Sequence, residues 1–155
     1  MKKIFLLIGI LAILNGCSKE ETQIDTEYPV IDISGADAFP VQCSSLKRGE
    51  RFIFTAKFSD NQVLGSYSLD IHHNFDHHTH STEVKVCEME ADKAPVKPFL
   101  LIKDYTIPIG QREYLGTAEI IIPEDIDTGD YHFLIRLTDR EGWQTIKGLS
   151  IKIVE

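Results

Sequence analysis

Apolar residues recur at every second position along most of this chain, and that period constrains the fold more than any other feature. Phe52, Phe54, Ala56 and Phe58 alternate with polar or smaller neighbours, as do Tyr67, Leu69 and Ile71, and then Thr82, Val84 and Val86. Side chains of an extended strand point alternately to two faces, so a period of two marks strands with one buried face. No stretch carries the 3.6-residue period of an amphipathic helix. Strands are predicted over 30–33, 51–59, 65–73, 82–87, 99–107, 113–122, 130–138 and 144–154. Pro29, Pro40, Pro95, Pro98, Pro108 and Pro123 all fall outside strand interiors, where a missing N–H does least harm. Asp139-Arg-Glu-Gly142 reads as the hairpin turn between the last two strands. Strands at this spacing, separated by turn signals, predict an all-β fold, a two-sheet antiparallel sandwich.

The segment Asp127-Thr-Gly-Asp-Tyr131-His-Phe133 resembles the Asp-x-Gly-x-Tyr-x-Cys segment that enters the sixth strand of immunoglobulin-like domains. The resemblance implies an immunoglobulin-like antiparallel β-sandwich of seven to eight strands, with Tyr131 making the corner hydrogen bond rather than serving as a catalytic acid. Phe133 stands where the usual core cysteine would be, so the standard inter-sheet disulfide is absent. Trp143, just after the turn, is expected to be a partly buried anchor.

Residues 1–16 carry Lys2 and Lys3 and then the apolar run Ile4 to Leu14. That run is too short to span a bilayer and fits a cleaved signal peptide. It ends Leu14-Asn15-Gly16-Cys17, which resembles a bacterial lipobox and makes Cys17 the expected lipidated residue. Residues 17–27 are polar enough to form a flexible tether, leaving one domain over 28–155. With Cys17 acylated, Cys43 and Cys87 form an even pair in an oxidising compartment and are expected to be disulfide-bonded. The bond would contribute roughly 4 kcal/mol on the chain-entropy estimate. The rival reading makes Cys87 a metal thiolate.

Five of the six histidines, His72, His73, His77, His78 and His80, fall within nine residues, with Asp70 and Asp76 beside them. Neutral imidazole is the commonest protein ligand for zinc, copper and nickel, so the run suggests a divalent transition-metal site. Alternation puts His73 on the core face of its strand and His72 on the open face with Ser68 and Asp70. Extended backward, the next strand puts His78 and His80 on one side as a His-x-His pair. The expected ligands are therefore His78 and His80 first, then His73 or His72, with His77 and Asp76 supplementary. Three imidazoles and an oxygen would suit tetrahedral zinc or nickel, and a more planar set copper(II). Affinity should fall below about pH 6.5, as protons compete for imidazole. His132, opposite in face to Tyr131 and Phe133, is expected to face solvent.

Removing Lys2 and Lys3 leaves 14 basic against 24 acidic residues, a formal charge of −10, which argues against a nucleic-acid partner. No Gly-rich phosphate loop, nucleophile elbow or His-Glu-x-x-His motif is present, so the chain is read as non-enzymatic.

Phe58-Ser-Asp-Asn61, Leu64-Gly-Ser-Tyr-Ser-Leu-Asp-Ile-His-His73, Asp76-His-His-Thr-His80 and Gly129-Asp-Tyr-His-Phe-Leu-Ile-Arg-Leu-Thr-Asp139 resemble the Bacteroidota lipoprotein family named domain of unknown function 4625. Ser18-Lys19-Glu20-Glu21 looks like the surface-export signal of such lipoproteins. The resemblance implies an outer-membrane lipoprotein, held by its lipid anchor and exposed at the cell surface. The expected function is capture of zinc or another divalent transition metal, passed to an outer-membrane transporter or surface protein. The alternative is an adhesion module for a glycan or protein, in which the histidines are incidental or pH-sensing.

Overall fold

The computed structural model of the protein describes residues 24–79 and 87–155. The signal peptide, Cys17, most of the expected tether, His80 and all but Cys87 of the strand expected over 82–87 lie outside the described residues. Within them are eight strands: β1 (Val30–Asp32), β2 (Ser45–Lys47), β3 (Arg51–Ser59), β4 (Leu64–His73), β5 (Leu101–Thr106), β6 (Glu113–Ile121), β7 (Gly129–Asp139) and β8 (Gln144–Val154). They form a three-stranded sheet, β1-β3-β6, and a five-stranded sheet, β2-β8-β7-β4-β5. The two sheets pack face to face as an immunoglobulin-like sandwich, with no helix among the described residues.

Seven of the predicted strands are present to within two residues at either end. β2 has no counterpart among them, and it pairs parallel with the sheet's last strand, Leu46 opposite Ile153. Its three residues bury one apolar side chain, Leu46, which is too little to register as a period. The alternation elsewhere is realised residue by residue. Phe54, Ala56 and Phe58 of β3 face Tyr67, Leu69 and Ile71 of β4 and Tyr131, Phe133, Ile135 and Leu137 of β7 across the core. Burying each large side chain stabilises by about 1.5–3 kcal/mol, and ring packing adds to this. The Phe54 and Phe133 rings lie 5.7 Å apart, nearly parallel, and Phe58 meets Tyr67 at 5.0 Å.

The tyrosine corner forms as the Asp-x-Gly-x-Tyr segment predicts. The Tyr131 hydroxyl donates to the Asp127 carbonyl at 2.7 Å and accepts from the Phe99 N–H at 3.1 Å. The Cys43–Cys87 disulfide is present, which excludes Cys87 as a thiolate ligand. It ties the segment leaving the histidine run to the chain before β2.

On β6, Gly116 lies beneath the Phe58 ring, and a Cβ placed there would come within 2.3 Å of Phe58 Cε2. A ring locked in a packed core yields poorly, so Gly116→Ala should destabilise by about 1–3 kcal/mol, read as a lowered denaturant midpoint. An unchanged midpoint would show that the Phe58 ring moves aside without cost.

Burial pushes the Tyr67 phenol up to about 12, helped by the neighbouring Tyr114 and Tyr105. Its folded-state pKa thus exceeds the unfolded value of about 10, so the fold binds this proton more tightly. The resulting stability is fully present below about pH 10 and lost as pH rises towards 12. Denaturant midpoints should fall across that window, and fall less steeply in Tyr67→Phe; parallel curves would count against Tyr67 as the source.

Candidate metal centre

Antiparallel pairing sets His72 of β4 directly opposite His132 of β7. Side chains paired in this way sit side by side on one face, here the outer face of the five-stranded sheet. Phe75, next along the chain, turns inward, is buried, and meets Tyr131 edge-on at 5.3 Å. The Asn74 N–H donates to the Asp130 carbonyl at 2.8 Å, and His77 takes a left-handed backbone conformation with φ 52°. With Phe75 pinned inside and the chain reversed at His77, His78 is carried back over the outer face. There its carbonyl accepts from the His132 ring Nε2–H at 3.0 Å.

The three rings form a compact group. Their centroids lie 5.6 Å apart for His72 and His78, 5.3 Å for His72 and His132, and 4.8 Å for His78 and His132. One ring nitrogen from each lies within 4.8 Å of the others. His132 is fully buried, while His72 and His78 are partly exposed. Each of the latter is also oriented by a carboxylate: Asp70 Oδ1 meets His72 Nδ1 at 2.7 Å, and Asp76 Oδ1 meets His78 Nδ1 at 2.6 Å. The His78 hydrogen bond holds the Asp76 carboxyl below the usual carboxylate range.

The residues expected to be ligands therefore divide. His72 and His78 converge, and Asp76 serves by orienting His78. His73 turns to the core side, where its ring packs 4.9 Å from Phe75 and its Nδ1 is buried without a hydrogen-bond partner. His77 is engaged by Asp92 at 2.7 Å, with Asp130 4.0 Å from its other ring nitrogen. His78 belongs to a loop rather than a strand, which removes the conflict of faces that regular alternation creates between it and His72. His132 corrects the expectation that it faces solvent. The outer face of β7 is covered at this end by the returning loop, which alternation within a single strand does not report. The signal that would have found it is the sheet order, since β4 and β7 are neighbours and their outward histidines share a row.

A lipid-anchored sandwich carrying a histidine cluster on one sheet face is the class of protein defined here. The chain belongs to the family described as Domain of unknown function (DUF4625), whose pattern matches residues 15–154. Residues 1–18 match the prokaryotic membrane lipoprotein lipid attachment site, which makes the chain a membrane-anchored lipoprotein. No curated protein matches it. Among solved structures it is similar to the sporulation control protein Spo0M of Bacillus subtilis, at 14% identity and a TM-score of 0.45, over 84% of this chain and 51% of that one. It is also similar to the GspB Siglec domain, at 20% identity and a TM-score of 0.41, over 84% of this chain and 59% of that one. Both likenesses are distant, and the chain spans about half the length of the first.

Carbonyl and carboxylate oxygens only accept, so these contacts assign the ring protons: Nδ1–H on His72 and His78, Nε2–H on His132. Nitrogen-15 NMR of the metal-free protein should show that split. A shared tautomer on all three rings would contradict the arrangement.

Proposed function

We propose that this lipoprotein binds a divalent transition metal, zinc, copper(II) or nickel, through His72, His78 and His132, and does so without catalysing a reaction. The observation that carries the reading is the convergence of one nitrogen from each ring to within 4.8 Å. Imidazoles bound to one zinc at 2.0–2.1 Å have nitrogens about 3.3 Å apart in tetrahedral geometry, so closure needs at most about 1.5 Å of adjustment. Asp70 and Asp76 supply the carboxylate partners that fix a ligating ring's orientation and raise its basicity. They direct Nε2 of His72 and His78 to the ion, and the His78 carbonyl directs Nδ1 of His132. His80, two residues beyond His78 and ranked with it as a first ligand from the sequence, could add a further donor.

An acidic protein raises the local concentration of cations around it. Display on the outer membrane, as Lys19-Glu20-Glu21 suggests, puts the site where scarce ions are first met. Capture followed by transfer to an outer-membrane transporter is the role that fits.

Isothermal titration of the mature lipoprotein in non-ionic detergent with each ion, alongside elemental analysis, tests this. One ion per chain with submicromolar affinity is expected. His78→Ala should weaken it at least about 100-fold, more than the loss typical of an outer-shell partner such as Asp76. Glu119→Gln, an exposed change on β6 of the other sheet, should bind as the wild type does. Weak binding, equal for all three ions and unchanged by His78→Ala, would sink the proposal and direct attention to a glycan or protein partner.

A further inference from the structure

At the opposite end of β4 a second group of side chains converges, with a different donor chemistry. One carboxylate oxygen each from Asp25, Asp139 and Glu141 lies within 4.8 Å of the others. Asp25 and Asp139 are only 6% and 4% exposed, and Glu141 lies at the surface. Each buried carboxylate has one satisfied oxygen. Asp25 Oδ1 accepts from the Asn61 side-chain amide at 2.8 Å and the Glu27 N–H at 3.0 Å. Asp139 Oδ1 accepts from the Gly142 and Trp143 N–H groups at 2.6 and 2.8 Å. The other oxygen of each, Oδ2, is buried with no hydrogen-bond partner. Asp60 Oδ1, on the loop that carries Asn61, is a third such atom at this end of the sandwich.

Buried polar atoms are nearly always satisfied, and carboxylates gathered out of water repel one another unless a cation joins them. Among the described residues no lysine or arginine pairs with Asp25, Asp139 or Glu141. Asn61 and the Glu27 N–H hold the Asp25 carboxyl below the usual range. The backbone is shaped around the group as well. β4 carries a bulge between Leu64 and Ser66, where a Cβ on Gly65 would come within 2.7 Å of the Asp139 carbonyl oxygen, so a side chain there would push Asp139 out of place.

We propose that Asp25, Asp139 and Glu141 form a calcium site that fastens the start of the domain to the β7–β8 turn. Oxygen donors without nitrogen or sulfur select a hard cation. Oxygens bound to one Ca²⁺ at 2.3–2.6 Å stand at most about 5 Å apart, which the group satisfies as it is, whereas Mg²⁺ at 2.0–2.1 Å permits only about 4.2 Å. Water and backbone carbonyls complete the shell. Asp25 lies eight residues beyond the lipid-bearing Cys17, so the ion would fix the point at which the tether leaves the domain.

The chain's single tryptophan reports on this site. The Trp143 indole N–H donates to the Asp25 carbonyl at 2.8 Å, and its backbone N–H donates to Asp139. The mature lipoprotein in non-ionic detergent, stripped with EGTA, is titrated with CaCl₂ while tryptophan fluorescence and Tm are followed. A saturable fluorescence change with Kd about 0.1–1 mM, the range of extracellular calcium modules, is expected, with Tm raised by a few degrees at saturation. Glu141→Gln, an exposed change that leaves the calcium-free fold intact, should weaken affinity at least tenfold. Asp25→Asn should abolish the response, and His78→Ala should leave it unaltered. No response up to 10 mM, or one equalled by Mg²⁺ or NaCl at matched ionic strength, would overturn the proposal.

Discussion

The pairing of β4 with β7 is the constraint on which both ends of the molecule depend. Its register runs from Leu64 opposite Asp139 through His72 opposite His132 to His73 opposite Tyr131. Because side chains alternate, a slip of one residue would send Leu69, Ile71, Phe133 and Ile135 to the wrong face, so the core enforces the register strongly. The histidine row is thereby held by the same burial that holds the sandwich together. It needs no stabilisation of its own, which allows a buried imidazole to persist there whether or not a ligand is present.

What the pairing does not supply is the third ring. That comes from the loop after β4, and its shape follows from Phe75. An aromatic ring at the end of a strand, packed under Tyr131, draws the backbone inward, and the chain regains the outer face through the left-handed residue His77. Tyr131 thus has two roles. Its hydroxyl closes the corner onto Asp127 and Phe99, while its ring forms the wall against which Phe75 seats. A defect at Tyr131 would be felt at the histidines without touching them.

How far the sequence foretells this follows from the range of each interaction. Strand alternation is local, so the strands from Arg51 to Ser59 and from Gly129 to Asp139 are legible, as is the open-face placement of His72. The Tyr131 corner is legible because its partner Asp127 is four residues away. Alternation misplaces His132 because burial of an outer-face residue depends on what folds over the sheet, and no property of β7 encodes that. β2 is silent because one buried leucine makes no period. Asp25 lies in a stretch whose polarity reads as tether. Only its contacts with Asn61 and Trp143, 36 and 118 residues away, bury it.

The two clusters differ in donor chemistry, imidazole nitrogen at one and carboxylate oxygen at the other. Imidazole nitrogens suit zinc, copper and nickel, and carboxylates suit calcium, so on the proposed reading the two clusters would differ in the ions they prefer by donor type. From Leu64 to His72 the strand rises about 26 Å, several Debye lengths at physiological salt, so charge gained at one end is barely felt at the other. Their coupling is one of position. The chain leaves the membrane at Cys17 and reaches the domain at Asp25, at the end remote from the histidines. A cation that fastens Asp25 to the β7–β8 turn would therefore hold the domain with its imidazole end turned away from the lipid surface. That orientation is the one the proposed capture of ions arriving from outside would require.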